Sequence, residues 1–313
     1  MILVTGGTGF IGSHLAERLL AHGEQVRALI RPSSSLRNLP PVDVETRLEE
    51  ALAGVTAVIH LAGATKALRA ADYYDANVRV TERLARAIAG RGIRLVHVSS
   101  LAAVGPTTQG NALTEDATPH PFTAYGKSKL VAEKVVRALL PDAVIVRPPV
   151  VYGPRDTGVF QMLKPISRGW ALEIAGGERW FSAIYVRDLV DGLIAAARSP
   201  AAAGRTYFLS HSIPVSWSDL VTAAARVIGR RPHVLRIPVS AAQLIGFGAE
   251  IWAWATRKPG ILSREKVAEA RCPAWICDSH RAATELSFEA PTSLEKGLAE
   301  TLAWYKEVGW LRY

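Results

Sequence analysis

Short apolar runs alternate with segments of helical periodicity along the first two thirds of the chain. After each run, apolar residues recur three or four positions apart, as they do on one face of a helix. This alternation predicts an α/β fold: a doubly wound parallel sheet with a smaller, interleaved C-terminal substrate lobe. The predicted strands cover residues 2–4, 25–30, 42–46, 57–63 and 94–98, a sixth run that ends at 147–149, and 205–209.

The predicted helices lie between these strands and beyond the last one. Gly23 is a natural C-cap for the first helix, and Asp188 is a suitable N-cap for the helix after the sixth strand. Thr292 to Glu295 resembles a capping box, and the helix behind it places Leu294, Leu298, Leu302 and Tyr305 on one face. The other predicted helices cover 48–53, 73–89, a segment led by 123–129, 185–197, 218–228 and 241–255.

Two domains are expected to interleave along the chain. Residues 1–150 and 182–211 form the predicted sheet domain, and residues 151–181 and 212–313 form the predicted substrate lobe. Trp252 and Trp254 make the helix at 241–255 unusually aromatic. We assign them to the core of the lobe, with an apolar substrate pocket or a subunit contact as the alternatives.

A glycine-rich turn follows the first predicted strand. Residues 7–12 fit the spacing G-x-G-x-x-G, and Gly6, Gly9 and Gly12 fit a looser repeat around Phe10 and Ile11. Such glycines allow a tight turn, close approach of a pyrophosphate and packing of the next helix, whose free N–H groups point at the phosphate. With a strand before it and a helix expected from about Ser13, the turn predicts a dinucleotide-binding Rossmann fold. An ordinary β–α turn is the alternative.

The end of the second predicted strand bears on the choice of dinucleotide. An acidic residue there favours the ribose 2′-hydroxyl of NAD, whereas this chain has Arg31, followed by Ser33 and Ser34 and, one turn on, Arg37. A guanidinium beside hydroxyls suits a 2′-phosphate. We therefore expect NADP as the cofactor, with NAD as the alternative. A solvated arginine at a strand end is the competing interpretation.

A serine, a tyrosine and a lysine form the candidate catalytic group. Ser100 follows the fifth predicted strand, and Tyr125 and Lys129 are four residues apart, so they share one face of a helix. A tyrosine loses its proton near pH ~10, and an ammonium together with an oxidised nicotinamide would lower that pKa towards neutrality. We expect Tyr125 to move the proton, Ser100 to orient the substrate oxygen, and Lys129 to tune the tyrosine and hold the ribose. His60, flanked by apolar residues, is expected to be a satisfied core histidine.

Composition and charge narrow the class of protein. The 313 residues are 49% apolar and 21% charged, which is typical of a globular protein. No cationic leader precedes Met1, and the longest apolar stretch, 239–255, is interrupted by Gln243 and Glu250, so neither a secretory signal nor a membrane span is expected. The net charge is +9, but the arginines are scattered, which argues against nucleic acid and favours an anionic cofactor or a solvated surface. The expected partner is a small-molecule substrate. Cys272 and Cys277 lack metal-site or redox spacing, which predicts free thiols, no metal and a cytoplasmic location.

Together these motifs resemble the extended short-chain dehydrogenase/reductase superfamily. This group contains the NAD-dependent epimerases and dehydratases, dihydroflavonol reductases and 3β-hydroxysteroid dehydrogenases. The matching segments are GGTGFIG at 6–12, HLAG at 60–63, Asn77-Val78 with Thr81, SSLAAVG at 99–105, YGKSK at 125–129, RPPVVYGPRD at 147–156 and IYVRDLV at 184–190. The resemblance implies the triad Ser100, Tyr125 and Lys129. The expected cofactor contacts are Gly6, Gly9, Phe10, Ile11, Gly12, Arg31, Ser33, Leu61, Ala62, Gly63, Ser99, Tyr125, Lys129, Pro148, Val150 and Val151.

Two departures from the superfamily pattern bear on the activity. The Gly-Asp pair that meets adenine has no counterpart near Thr46, and Leu101-Ala102 stands where sugar-nucleotide dehydratases have Asp-Glu. The second departure disfavours elimination of water.

The predicted function is an NADP-dependent oxidoreductase acting on a carbonyl or secondary alcohol. The alternatives are an NAD-dependent sugar-nucleotide epimerase and a non-catalytic dinucleotide-binding scaffold. A homodimer through the helices that carry Asn77 and Tyr125 fits the resemblance.

Overall fold

The computed structural model describes residues 1–260 and 262–313. The strands are β1 Ile2–Thr5, β2 Val26–Leu29, β3 Asp43–Glu45, β4 Ala57–His60, β5 Arg94–Val98, β6 Val144–Val146, β7 Val150–Tyr152, β8 Trp170–Ile174, β9 Trp180–Phe181, β10 Ala183–Tyr185, β11 Thr206–Tyr207, β12 Val215–Ser216, β13 His233–Ile237 and β14 Ala274–Trp275. The helices are α1 Phe10–Ala21, α2 Leu48–Ala51, α3 Ala70–Tyr74, α4 Val80–Ile88, α5 Ala124–Leu139, α6 Gly158–Ser167, α7 Val186–Arg198, α8 Trp217–Ile228, α9 Val239–Thr256, α10 Arg264–Arg271, α11 His280–Leu286 and α12 Leu294–Glu307.

Seven of these strands form one sheet in the order β11-β6-β5-β4-β1-β2-β3. All of their pairings are parallel. The strand order reverses between β1 and β4, and open sheets of this kind bind ligands at the carboxyl ends of the strands beside such a reversal. The predicted α/β doubly wound fold is therefore confirmed.

Helices cover both faces of this sheet because its strands are apolar on both sides. Leu3 and Val4 of β1 are fully buried and point to opposite faces. Val4 packs with Leu15 and Leu19 of α1 and with α7, whereas Leu3 packs with Leu84 of α4 and with α5. Burying each such side chain stabilises the fold by roughly 1.5–3 kcal/mol.

The remaining strands form small sheets, and β7, β8, β10 and β12 contribute Tyr152, Ala171, Ala183 and Val215 to a second core. These sheets pair β7 with β10, β8 with β13, and β9 with both β12 and β14. Leu298, Leu302 and Tyr305 of α12 are fully buried in the second core, as expected for residues on the apolar face of the predicted helix. The domain limits expected above stay a prediction. Within the described ranges, no helix combines the length and the apolar character that crossing a membrane requires.

Three expectations about helix ends are wrong. Helix α1 begins at Phe10 rather than near Ser13, because Gly6 has φ 74° and turns the chain early. Asp188 lies inside α7, where its carboxylate accepts hydrogen bonds from the N–H (3.0 Å) and the hydroxyl (2.8 Å) of Thr292. Since Thr292 is occupied in this way, Ser293 caps α12 instead.

The assignment of Trp252 and Trp254 to the lobe core is also wrong. Their side chains are 72% and 78% exposed, although the predicted helix is present as α9. The side of α9 that faces the protein consists of small residues, among them Ala242, Gly246 and Ala253, which leaves no room for indole rings. The helix predicted at 73–89 is present, but Asp75–Arg79 within it forms a π-helical segment that joins α3 to α4.

Candidate active site

The glycine turn after β1 forms a cradle that side chains could not occupy. A Cβ atom on Gly6 would lie 2.8 Å from the backbone nitrogen of Ala62, and one on Gly12 would lie 2.2 Å from the carbonyl oxygen of Gly6. The first turn of α1 has neither a side-chain cap nor an acidic residue, so its N–H groups point freely at the cradle. This arrangement fits a pyrophosphate, as does the position of Phe10 and Ile11 at the helix start.

A second observation that fits a dinucleotide is the buried hydroxyl of Ser99. Its side-chain oxygen makes no hydrogen bond within the described part of the chain, although its backbone N–H donates to the Val146 carbonyl (2.7 Å). Buried hydroxyl groups are normally paired, so this one fits a site that a polar ligand completes. Nearby, Pro148 accepts a hydrogen bond from the N–H of Leu101 (2.9 Å), which places the Pro148–Val151 segment beside Ser100.

The edge of the cradle next to β2 carries free positive charge. Arg31 lies two residues beyond β2 and is exposed, as is Ser33. Neither Arg31 nor Arg37 forms an ion pair with any described residue. The backbone N–H of Arg31 donates to the hydroxyl of Ser34 (3.2 Å), which orders the turn while leaving the guanidinium unpaired.

The loop after β4, which contains Leu61, Ala62 and Gly63, is held in place by Asn77. The Asn77 side chain accepts a hydrogen bond from the N–H of Ala64 (2.7 Å) and donates to the Ala64 carbonyl (3.1 Å) and to the hydroxyl of Ser128 on α5 (2.9 Å). A Cβ on Gly63 would lie 2.6 Å from the Asn77 amide oxygen. Asn77 therefore connects the loop to the helix that carries Tyr125.

His60 is the satisfied core histidine that the sequence predicts. Its ring nitrogens are 2.6 Å from the hydroxyl of Thr5 and 2.9 Å from the hydroxyl of Thr81. Burial, with a smaller contribution from Lys129, lowers the pKa of His60 to about 3. The ring is neutral at physiological pH and acts as a structural link between β1, β4 and α4.

Ser100, Tyr125 and Lys129 meet at the carboxyl end of β5. Ser100 caps a short 3₁₀ turn, Leu101–Ala103, and its hydroxyl accepts a hydrogen bond from the N–H of Ala102 (3.1 Å). Lys129 donates from its ammonium to the carbonyl of Val98 (2.8 Å), two residues before Ser100. A Cβ on Gly126 would lie 2.2 Å from the Ala102 carbonyl oxygen, so the glycine after Tyr125 lets α5 approach this turn closely.

In the protein alone, burial shifts the pKa values of Tyr125 and Lys129. Burial raises the pKa of Tyr125 to about 12, and the hydroxyl of Ser100 only partly opposes this rise. Burial also lowers the pKa of Lys129 to about 8, against the opposing charge of Glu133. In the protein alone, loss of solvation therefore outweighs any lowering of the tyrosine pKa by the lysine.

Helix α10 supplies neighbours of Tyr125 that sequence reasoning missed. The ammonium of Lys266 lies 5.8 Å from the centre of the Tyr125 ring, and the ring centre of Tyr73, on α3, is 6.0 Å away. Both carboxylate oxygens of Glu265 accept from the N–H of Ala124 (3.1 and 3.2 Å), at the start of α5. No motif marks this contact, because it joins residues 141 positions apart.

The sheet, the glycine cradle at its switch point and the serine, tyrosine and lysine beside it define a Rossmann-type enzyme that uses a nicotinamide dinucleotide. Residues 2–209 match the family described as "NAD dependent epimerase/dehydratase family". The chain belongs to this family, within the extended short-chain dehydrogenase/reductase superfamily, and is an NAD(P)-dependent reductase or epimerase.

Curated relatives include reductases and an epimerase. The ceramide reductase of Caulobacter vibrioides is 28% identical over 99% of this chain and 96% of its own length. The 4-hydroxy-2-methyl-3-oxo-4-farnesyl-3,4-dihydroquinoline-1-oxide ketoreductase of Stigmatella aurantiaca is 31% identical over 87% of this chain and 83% of its own. The N-acetyl-alpha-D-glucosaminyl-diphospho-ditrans,octacis-undecaprenol 4-epimerase of Escherichia coli O157:H7 is 27% identical over 96% of this chain and 94% of its own.

The fold is also that of solved structures. The crystal structure of gox2253 superposes with a TM-score of 0.81 at 25% sequence identity, covering 100% of this chain and 99% of that one.

Proposed function

We propose that the protein is an NADP-dependent oxidoreductase that acts on a carbonyl or secondary alcohol. The observation that carries this proposal is the meeting of Ser100, Tyr125 and Lys129 at the carboxyl end of β5, next to the glycine cradle. When bound, the nicotinamide supplies or accepts hydride. The Tyr125 hydroxyl gives a proton to the substrate oxygen or takes one from it, the Ser100 hydroxyl hydrogen-bonds that oxygen, and the Lys129 ammonium holds the nicotinamide ribose.

The preference for NADP is supported by the charge at the end of β2. Arg31 and Arg37 are exposed, and Ser33 stands between them. The one carboxylate on the neighbouring strand end, Glu45, accepts from the N–H groups of Thr46 (2.8 Å) and Arg47 (3.1 Å) and is thereby engaged by its own loop. A 2′-phosphate would find unpaired guanidinium groups at this edge, whereas the carboxylate that could accept from a 2′-hydroxyl is already engaged.

The substrate is inferred to have a long apolar part. The names of three relatives contain a ceramide, a farnesyl group and an undecaprenol, all of which carry long hydrocarbon chains. Helix α10, which borders Tyr125, forms with α9 a groove of about 480 Å³ lined partly by Leu244, Phe247 and Val267. An apolar chain attached to the reacting carbon would have a surface to lie on there.

Substitution of the tyrosine tests the proton-transfer role. Tyr125→Phe is expected to lower kcat by about 10²–10⁴-fold and to leave the Kd for NADPH nearly unchanged, because the proton donor is removed while most cofactor contacts stay. Tyr73→Phe is the matched control: its ring lies 6.0 Å from that of Tyr125, and the same deletion there should change kcat less than about two-fold. Equal rates for Tyr125→Phe and wild type on a panel of apolar ketones would refute the assignment.

Epimerisation is the second candidate, and the similarity to the undecaprenol-linked 4-epimerase is the observation that favours it. Absorbance of the nicotinamide separates the two activities. A reductase consumes one NADPH for each product molecule, whereas an epimerase forms product with no net change. Dehydration is disfavoured because Leu101 is 3% exposed and packs with Val104 and Phe208, so no carboxylate stands at that position.

A further inference from the structure

Helix α9 carries its large apolar side chains on the side that faces away from the protein. Leu244, Trp252 and Trp254 are 71%, 72% and 78% exposed. A surface helix of a globular domain normally shows the reverse, with apolar residues inside and charged residues outside. We call this surface the α9 outer face; it consists of Leu244, Ile245, Phe247, Ile251, Trp252 and Trp254.

The geometry of the helix explains how the face arises. Ala242, Gly246 and Ala253 are buried, and they lie within about 40° of one another around the helix axis. A Cβ on Gly246 would lie 3.1 Å from the Val267 side chain, so these small residues let α9 lie close against α10. Five of the six large residues lie in the opposite half of the helix surface and Ile245 lies at its border, while Leu244 and Phe247 also line the groove towards α10. Contiguous exposed apolar surface of this kind marks a site of interaction.

Positive charge is concentrated in the segment of the chain that contains this helix. Residues 230–271 contain eight arginines and lysines but only three glutamates, so this segment carries a net charge of +5 out of +9 for the whole chain. The glutamates are engaged: Glu250 pairs with Arg264 (2.7 Å), Glu269 pairs with Lys266 (2.5 Å), and Glu265 accepts from Ala124. In the part of the chain that the structure describes, five cations of the segment form no ion pair: Arg230, Arg231, Arg257, Lys258 and Arg271.

We propose that the α9 outer face docks on the surface of an anionic phospholipid bilayer. Tryptophans next to basic residues are typical of helices that lie in the membrane interface, and here Arg257 and Lys258 follow Trp254 almost directly. Unpaired cations beside an apolar surface are attracted by anionic headgroups. A second copy of the chain suits the face less well, because a two-fold interface would bring two segments of net charge +5 together.

Docking in this way would bring the candidate active site to the bilayer. Helix α10 lies between α9 and Tyr125, since Val267 adjoins Gly246 and the Lys266 ammonium lies over the Tyr125 ring. A substrate with a hydrocarbon chain would then reach the site from the lipid phase. This consequence rests on the proposed function, whereas the docking itself does not.

Sedimentation of the full chain with lipid vesicles tests the docking. We expect at least ten-fold tighter binding to vesicles of phosphatidylcholine with phosphatidylglycerol than to phosphatidylcholine alone, weakening as salt rises. The double variant Trp252→Ser, Trp254→Ser should bind at least ten-fold more weakly than wild type. Ile213→Ser is the matched control, because Ile213 is 66% exposed outside this face, and its binding should equal that of wild type.

A charge reversal provides an independent arm. The double variant Arg257→Glu, Lys258→Glu should lose the preference for anionic vesicles. The control double variant Lys134→Glu, Lys296→Glu, which changes two exposed lysines elsewhere, should keep it.

Circular dichroism melting establishes that each variant is folded. Wild-type protein that stays in the supernatant overturns the proposal, and so does equal binding by the tryptophan variant. If the wild type forms a dimer and does not bind vesicles, and the tryptophan variant is a monomer, the face binds a second copy of the chain instead. No arm measures turnover, so this proposal can fail independently of the proposed function.

Discussion

At the scale of single residues, Lys129 is charged in surroundings that oppose the charge. Its side chain is 6% exposed, and among residues 1–260 and 262–313 its ammonium donates to one acceptor, the Val98 carbonyl (2.8 Å). Burial lowers its pKa to about 8. A group with a function is often kept at a cost in stability, and this lysine is such a group if it holds the cofactor.

Lys129→Met should make the protein more stable in a pH-dependent way. Below pH 8 both folded and unfolded chains hold the proton, so the wild type bears the whole cost, up to ~3 kcal/mol for the shift from 10.5 to about 8. Above pH 8 the folded chain loses the proton first, and the wild type gains stability as the pH rises towards 10.5. Urea unfolding should therefore show a gain for Lys129→Met at pH 7 that shrinks by pH 10.

Lys127→Met is the control for this prediction, because Lys127 is exposed on the same helix. Its effect on the free energy of unfolding should be within about 0.5 kcal/mol at both pH values. A gain for Lys129→Met that stays constant with pH would show that the buried ammonium does not titrate as described.

At the scale of elements, the π-helical segment Asp75–Arg79 holds the site together. It contains Asn77, whose three side-chain hydrogen bonds join the loop after β4 to α5. Single π-helical turns inside α-helices are rare and occur often at functional sites. Here the segment places a buried amide between two parts of the candidate cofactor site.

Asn77→Ala should weaken both the fold and the cofactor site. The substitution leaves the Ala64 N–H and carbonyl without their side-chain partner and removes one of two hydrogen bonds of the Ser128 hydroxyl, which costs about 2–4 kcal/mol of unfolding free energy. Since Gly63 is an expected cofactor contact in the same loop, we also expect about ten-fold weaker NADPH binding, or ~1.4 kcal/mol. Calorimetric titration and urea unfolding measure the two effects.

The control lies in the same π-helical segment. Asp75 forms an exposed ion pair with Arg79 (3.2 Å), so Asp75→Ala should cost less than about 0.5 kcal/mol and leave NADPH binding unchanged. If Asn77→Ala behaves like Asp75→Ala in both measurements, the linking role of the amide is wrong.

Local patterns predict the elements of this protein better than the contacts between them. Strand β5 is found at Arg94–Val98 as expected, because a short apolar run with a clear end needs no tertiary information. The π-helical turn at Asn77 was not predicted, since one extra residue in a turn barely disturbs helical periodicity. The contact of Glu265 with α5 was not predicted either, because no local signal records a partner 141 residues away.

Helix α9 is a second case in which the sequence predicts an element but not its contacts. Its composition predicts an apolar helix, but composition does not say which residues face the protein. The orientation of α9 follows from Ala242, Gly246 and Ala253, because only small side chains allow close contact with α10. The tryptophans were left outside.

At the scale of the whole molecule, two cores are joined around the carboxyl edge of the sheet. The hydroxyl of Tyr305 in α12 donates to the carbonyl of Asp156 (2.9 Å), and a ring nitrogen of His14 in α1 lies 2.9 Å from the carbonyl of Pro154. The turn between β7 and α6 is thus bound from both sides. A dinucleotide seated on α1 would add contacts to a junction that the whole fold shares, so its binding should be visible in global unfolding.

The preference for NADP over NAD can be measured through this effect of ligand binding on unfolding. A ligand that binds only the folded chain stabilises it by about 2.7 kcal/mol at a hundred times its Kd. For a protein of this size, that corresponds to a rise in Tm of several degrees, at roughly 2–4 °C per kcal/mol. We expect NADP to raise Tm more than NAD at equal concentration, because Arg31 and Arg37 offer unpaired guanidinium groups to the 2′-phosphate.

Arg31→Asp should reverse that order, since a carboxylate repels the phosphate but accepts a hydrogen bond from a ribose hydroxyl. Arg83→Asp makes the same change of charge at an exposed position on α4 and should leave the NADP shift as in wild type. Comparing shifts on ligand addition removes any effect of either substitution on the unliganded fold. If NAD raises Tm of the wild type as much as NADP does, the strand-end arginine does not select the cofactor. A sugar-nucleotide epimerase that uses the same triad would then be the better supported hypothesis.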